Sequence, residues 1–174
     1  FEFKVLADVC AVGQFIPVPD TPTVAIVPGP AVVWKAVLPT LRRLGERFRF
    51  GLKAEDKWGN PTDRAGGRFT FRSSLPVDGL PETFDYPRGE KSVSFDGLFV
   101  SDPGVLRIAV HDRSGAAVAE SHPLVIRESR YGGYWGDMHG QSGESIGITT
   151  ARQYFDFARN KAFLDATGHQ ANDF

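Results

Sequence analysis

A mainly β chain, built as an antiparallel β-sandwich followed by one parallel strand–helix–strand unit, is the fold class this sequence predicts. Three observations carry that reading. Short segments that alternate apolar and polar residues recur as far as residue 128, with Gly, Pro and Asp turns between them. No segment before residue 145 repeats apolar residues at helical spacing. Such spacing does run from Ala151 to Ala162, between two short apolar stretches that each end in a polar, histidine-bearing cluster.

Taken in order, the N-terminal part is rich in proline and β-branched residues. Phe1 to Val5 alternates like a strand, and the prolines of Phe15-Ile16-Pro17-Val18-Pro19 hold their predecessors extended. Thr23 to Val27 and Val32 to Leu38 read as strands separated by the turn Pro28-Gly29-Pro30. Leu38 to Leu44 is too short for a helix and contains Pro39. Arg47 to Ala54 has the clearest period of two. Phe48, Phe50, Leu52 and Ala54 form a face to be buried, and Arg47, Arg49, Gly51 and Lys53 a face expected to be wet. The neighbouring basic residues Arg42 and Arg43 belong to the same solvated surface in this reading. Trp58-Gly59-Asn60-Pro61 is a strong turn, its tryptophan expected to plug the end of the sandwich. Strands follow over Arg68 to Arg72, Ser92 to Phe95, Val105 to Val110 and Leu124 to Arg127. Phe69, Phe71, Phe95, Leu106, Ile108 and Val110 join the predicted core, while His111 and His122 are expected at the surface.

Composition bounds the partners. With 174 residues, 41% hydrophobic and 24% charged, the chain is long enough to bury a core. A formal net charge of −1 implies no general attraction to nucleic acid or to an acidic membrane. A single cysteine, Cys10, rules out an intrachain disulfide. No apolar run approaches a membrane span, and no signal-peptide pattern is visible, which leaves the compartment unassigned. A first residue that is Phe1 rather than methionine is expected of a chain processed or cut from something longer.

The chemistry concentrates after Ser129. Tyr131-Gly132-Gly133-Tyr134-Trp135 reads as an aromatic strand, followed by Gly136-Asp137-Met138-His139-Gly140-Gln141-Ser142-Gly143-Glu144. Groups at alternating positions past a strand end, such as His139 and Gln141, can face one space, and the glycines let Glu144 turn back to join them. Thr150 caps a helix, with Gln153 placed for a capping box. Ala151, Phe155, Ala158 and Ala162 make one stripe that Tyr154 and Phe157 widen, and these aromatics are expected to pack in a core. Phe163 to Thr167 reads as a second strand ending at Gly168-His169, with Asn172 and Asp173 just beyond. In a parallel strand–helix–strand unit both strands end on the same side, which brings His139 and His169 together although they are thirty residues apart.

At these residues the sequence resembles a known family. Gly136-Asp137-Met138-His139-Gly140-Gln141-Ser142 resembles the first motif of the polymerase and histidinol phosphatase (PHP) superfamily, and Phe163 to His169 resembles its second. The bacterial family called domain of unknown function 3604 is similar in a further respect. Its members carry an immunoglobulin-like β-sandwich with a segment like Ala54-Glu55-Asp56-Lys57-Trp58-Gly59-Asn60-Pro61 ahead of the first motif. The resemblance implies a sandwich domain over residues 1–128 and, over 129–174, the first βαβ unit of a PHP-like α/β barrel. It implies a divalent metal ion (zinc, manganese or iron) held by His139 and His169, with Asp137, Gln141, Glu144 and Asp173 as further ligands or supports. Gln141 stands where the superfamily has its second histidine, and Gly168 where the second motif has an aspartate.

The function expected on that resemblance is metal-dependent hydrolysis of a phosphate ester or similar bond in a small molecule. With two histidines against the usual three protein ligands, this chain alone is expected to be inactive. The competing class is a non-enzymatic sandwich that binds a carbohydrate or a protein. The final forty-five residues are expected to dock, because Trp135, Tyr154, Phe155, Phe157, Phe163 and Leu164 are too many large apolar groups to leave wet. The expected partner is the remainder of the same protein, with a second copy of the chain or the sandwich itself as the other surfaces.

Overall fold

The structure is a computed structural model and describes residues 3–170. The strands before the helix are β1 (Leu6–Ala7), β2 (Ile16–Pro17), β3 (Val33–Val37), β4 (Leu41–Arg43), β5 (Phe48–Glu55), β6 (Gly67–Ser73), β7 (Thr83–Tyr86), β8 (Ser92–Leu98), β9 (Gly104–Leu106), β10 (Ile108–His111), β11 (Ala117–Glu120), β12 (Leu124–Arg127) and β13 (Gly136–Gly140). Helix α1 (Ala151–Asn160) and strand β14 (Ala166–His169) complete the described chain.

Two antiparallel sheets, β3-β5-β8 and β11-β10-β6-β7, face each other and make the sandwich. Period-two alternation explains which residues meet between them. Phe50, Leu52, Leu106, Ile108 and Val110 are fully buried, and Phe48, Phe69 and Phe71 almost so. The rings interlock edge to face: Phe50 lies 5.5 Å from Phe71, and Trp34 lies 4.6 Å from Phe69 and 4.9 Å from Tyr86. Phe95 is half-buried at the margin, stacked on Phe50 at 5.7 Å. The stretch Val105 to Val110, which reads as one strand in sequence, divides at Arg107. Its first part, β9, joins a small sheet β4-β12-β9, and its second part joins the sandwich. Strands β4, β7 and β11 carry too few alternating residues to announce themselves in sequence. Thr23 to Val27 stays extended with no ladder beyond one bridge position, and residues 3–5 precede the first strand instead of forming it.

The predicted wet face of β5 is wet only in part, with Arg47 exposed and the positions beyond it covered. Gly51 is buried beneath the ring of Phe163, so near that a Cβ at Gly51 would lie 2.5 Å from it. Arg49 and Lys53 are half-buried beside it. Arg49 pairs with Asp96 and donates to the Arg159 carbonyl at 2.8 Å. Burial pushes the Lys53 ammonium below its usual range, against the pull of Glu55, and its Nζ lies 6.0 Å from the Phe163 ring centre. The alternation was right about the backbone; a glycine in that face left room for a covering side chain that no local pattern shows.

Arg42 departs further from the solvated reading, being only 4% exposed. Its guanidinium pairs with Asp165, donates to the carbonyls of Leu41 and Gly133, and lies 4.8 Å from the Tyr134 ring centre. Asp165 in turn accepts the Trp135 N–H at 2.9 Å. Ser92 donates to the Asn160 carbonyl at 3.0 Å, and the Trp135 indole donates to Thr40 Oγ1 at 3.1 Å. The C-terminal segment is thus docked on the outer face of the sandwich, a surface ranked behind the remainder of the protein in the sequence reading.

Candidate functional site

Strands β13 and β14 run parallel with α1 as their crossover, and Gly136 pairs with Ala166, Asp137 with Thr167 and Gly140 with His169. The strand is the motif itself, Gly136–Gly140, and not the aromatic run before it. His139 therefore lies in the strand and not past its end. Between Asp137 and Gly140 the register shifts, so that Met138 and His139 together oppose Gly168. A bulge of this kind re-aims side chains locally. The Asp137 carboxylate accepts the His139 N–H at 2.9 Å across it.

Close packing on glycine builds the floor of the site. Tyr154 from α1 lies against Gly140, where a Cβ would approach its hydroxyl to 1.7 Å. That hydroxyl bonds Thr167 Oγ1 and donates to the Gly168 carbonyl at 3.3 Å, while Thr167 Oγ1 donates to the Asp137 carbonyl at 2.9 Å. The helix is held at its start by the capping box foreseen in sequence. Thr150 Oγ1 accepts from the Gln153 N–H at 3.2 Å, and Gln153 Oε1 accepts from the Thr150 N–H at 2.9 Å. Glu144 accepts the Ala151 N–H at 3.4 Å, placing its carboxylate at the helix N-terminus, where the dipole favours it.

The loop between β13 and α1 is wound around Ser142, which is fully buried. Its carbonyl accepts from Ser145 at 2.9 Å and Gly147 at 2.7 Å, and its Oγ accepts the Glu144 N–H at 3.1 Å. The same Oγ lies 2.8 Å from His169 Nε2. Sequence reasoning passed over Ser142; the signal was its place between the glycines of the motif. The rings of Tyr154 and Phe155 stand 5.9 Å and 6.2 Å from the half-buried His169.

The predicted site residues separate under this geometry. His169 is a well-held imidazole, His139 and Asp137 are exposed on the neighbouring strand, and Gln141 is half-buried. Glu144 is turned toward the helix start, and Asp173 lies outside the described residues. Among the described residues no three His, Cys, Asp or Glu side chains come together to hold a metal ion. The donors present are of the right chemistry but do not make a complete centre, and one imidazole nitrogen is already engaged by Ser142.

Three other expectations are corrected. Trp58 is 76% exposed with Lys57 Nζ 4.7 Å from its ring centre, so it projects from its turn and plugs nothing. His111 is half-buried, its Nδ1 inaccessible and without a hydrogen-bond partner. Of the helix stripe only Ala158 is buried; Phe155 and Phe157 are 44% and 57% exposed, because the two-stranded sheet is too narrow to cover them.

No family model matches the chain, and no curated protein matches it. Among solved structures, the PKD domain of an M14-like peptidase from a Thermoplasmatales archaeon is similar over 59% of this chain and 100% of that chain, at 17% identity and a TM-score of 0.34.

Proposed function

We propose that this chain is the sandwich-bearing N-terminal portion of a metal-dependent hydrolase of the PHP type, related to domain of unknown function 3604. The observation that supports it is the parallel pairing of β13 with β14, in which Gly140 lies opposite His169 and next to His139 in the chain. Two histidines distant in sequence therefore share one end of one small sheet, where α/β folds place their chemistry. A bound divalent ion supplies an activated water and polarises a phosphoryl oxygen. His139 and His169 would hold it, and Ser142 would orient the His169 ring through the 2.8 Å contact with Nε2. The Asp137 carboxylate steadies the bulged strand under His139. The remaining ligands come from outside residues 3–170, so hydrolysis belongs to the whole protein.

The test is metal content. The longest expressed form of the protein should carry a stoichiometric transition metal that His139→Ala and His169→Ala each remove, together with phosphoesterase activity. Metal-free protein, or activity untouched by both substitutions, would sink the reading. The second reading is a non-enzymatic β-sandwich binding module. It is favoured by a sandwich core that closes between two sheets without help from α1 or β14. A carbohydrate or protein ligand bound undiminished by both histidine variants would support it.

A further inference from the structure

A cleft of about 1220 Å³ opens between the sandwich and α1, away from His139 and His169. Its floor is apolar, formed by the buried Leu38, Phe48 and Ala158. Its walls carry Trp135 and Phe155, which are 59% and 44% exposed there, and the half-buried Phe163. Four arginines, Arg42, Arg47, Arg49 and Arg159, and two aspartates, Asp96 and Asp165, are among the residues that line it. The carboxylates are used: Asp165 pairs with Arg42 and Asp96 with Arg49. Arg47 donates only to the Gly97 carbonyl at 2.7 Å, and Arg159 has no carboxylate partner among the described residues. Two positive charges are thus left over beside an apolar surface in a chain whose net charge is −1.

We propose that this cleft binds a small anionic amphiphile, a molecule with an aliphatic or aromatic body and a carboxylate, sulfonate or phosphate head. The body covers Trp135 and Phe155, and the head meets Arg47 and Arg159. Charge complementarity chooses this occupant. A neutral apolar ligand leaves both guanidiniums unmet, and a cationic one is repelled. Two free arginines on an apolar surface do not make a track for a nucleic-acid backbone. The volume exceeds the ~300–1,000 Å³ of ordinary ligand pockets, which suits an elongated body over a compact one. The site does not depend on a metal and stands apart from the hydrolase reading.

The experiment uses the purified chain with a chelator present. Anilinonaphthalene sulfonate reports occupancy by its fluorescence, and dodecanoate, dodecanol and dodecylammonium compete below their micelle concentrations. Dodecanoate is expected to displace the probe with one site per chain, about tenfold more tightly than dodecanol, a margin that shrinks at high salt. The double variant Arg47→Ala, Arg159→Ala should lose that margin while binding dodecanol unchanged; the Arg47→Lys, Arg159→Lys pair should keep it. Phe155→Ala should weaken dodecanoate and dodecanol alike. Both arginines are exposed, so an unchanged thermal midpoint is expected of the variants. Equal binding of the three competitors overturns the proposal, as does an arginine variant indistinguishable from the parent. So does self-association, seen by light scattering, that dodecanoate neither reverses nor competes with.

Discussion

Asp56 shows how much one side chain can organise. It is 2% exposed and accepts the N–H groups of Gly29 at 3.0 Å, Trp58 at 2.8 Å and Asn60 at 3.0 Å, with the Asn60 amide in addition. The Gly29 N–H foremost, then the Asn60 and Trp58 donors, hold its carboxyl down at about 2 against the opposing effect of burial. A depressed folded pKa gives stability that is complete above the ordinary value near 3.8 and lost as pH falls toward 2. Acid unfolding followed by fluorescence should therefore show a loss between about pH 4 and pH 2. Asp56→Asn should lower the midpoint at neutral pH and flatten that acid limb; an unchanged limb would refute the assignment. At the centre of the core, Phe50→Ala should cost about 3–5 kcal/mol in denaturant unfolding, because a fully buried ring leaves a cavity that neighbours cannot collapse into.

At the scale of the element, α1 is short and mostly exposed, so its stability leans on its ends. Thr150→Ala removes the oxygen that accepts the Gln153 N–H and should cost about 1 kcal/mol. The loss should appear as faster amide exchange in residues 151–160 and not in the sandwich strands. Equal loosening everywhere would mean that the helix and the sandwich unfold as one unit. The polar motif belongs to this scale too. Its residue types were legible in sequence, and so was the parallel crossover that brings His139 and His169 to one end. The bulge at Met138 and His139 was not, since it depends on how β13 is matched to β14 across the sheet. Ser142 was missed for the same reason: its contact with His169 spans a loop, a helix and a strand.

At the scale of the whole molecule, two of the contacts that fasten the C-terminal unit to the sandwich can be tested singly. Gly51 admits Phe163, and Arg42 joins Asp165 and the Gly133 carbonyl. Gly51→Leu should expel Phe163, since its Cβ alone comes within 2.5 Å of that ring. Arg42→Met should leave the solvent-reached Asp165 carboxylate without its ion partner and the Gly133 carbonyl without its donor, at a cost of about 1–3 kcal/mol. In limited proteolysis either variant should be cut between residues 128 and 170 while the sandwich fragment survives. Resistance equal to the parent would show that other contacts suffice for docking.

What the sequence determined by itself is local. Alternation placed Phe48, Phe50, Leu52, Ile108 and Val110 inside, because side chains on a strand must point to opposite faces. Turn residues set most strand boundaries, and a capping box set the start of α1. Only the tertiary structure decided which outward faces are covered. Arg42, Gly51 and Lys53 lie on surfaces that period and polarity mark as solvated, and a segment more than a hundred residues away covers them. Trp58, Phe155 and Phe157 carry apolar patterns that promise burial, and nothing among the described residues packs over them closely enough to deliver it. Burial is a property of pairs of surfaces, and a sequence pattern describes one surface at a time.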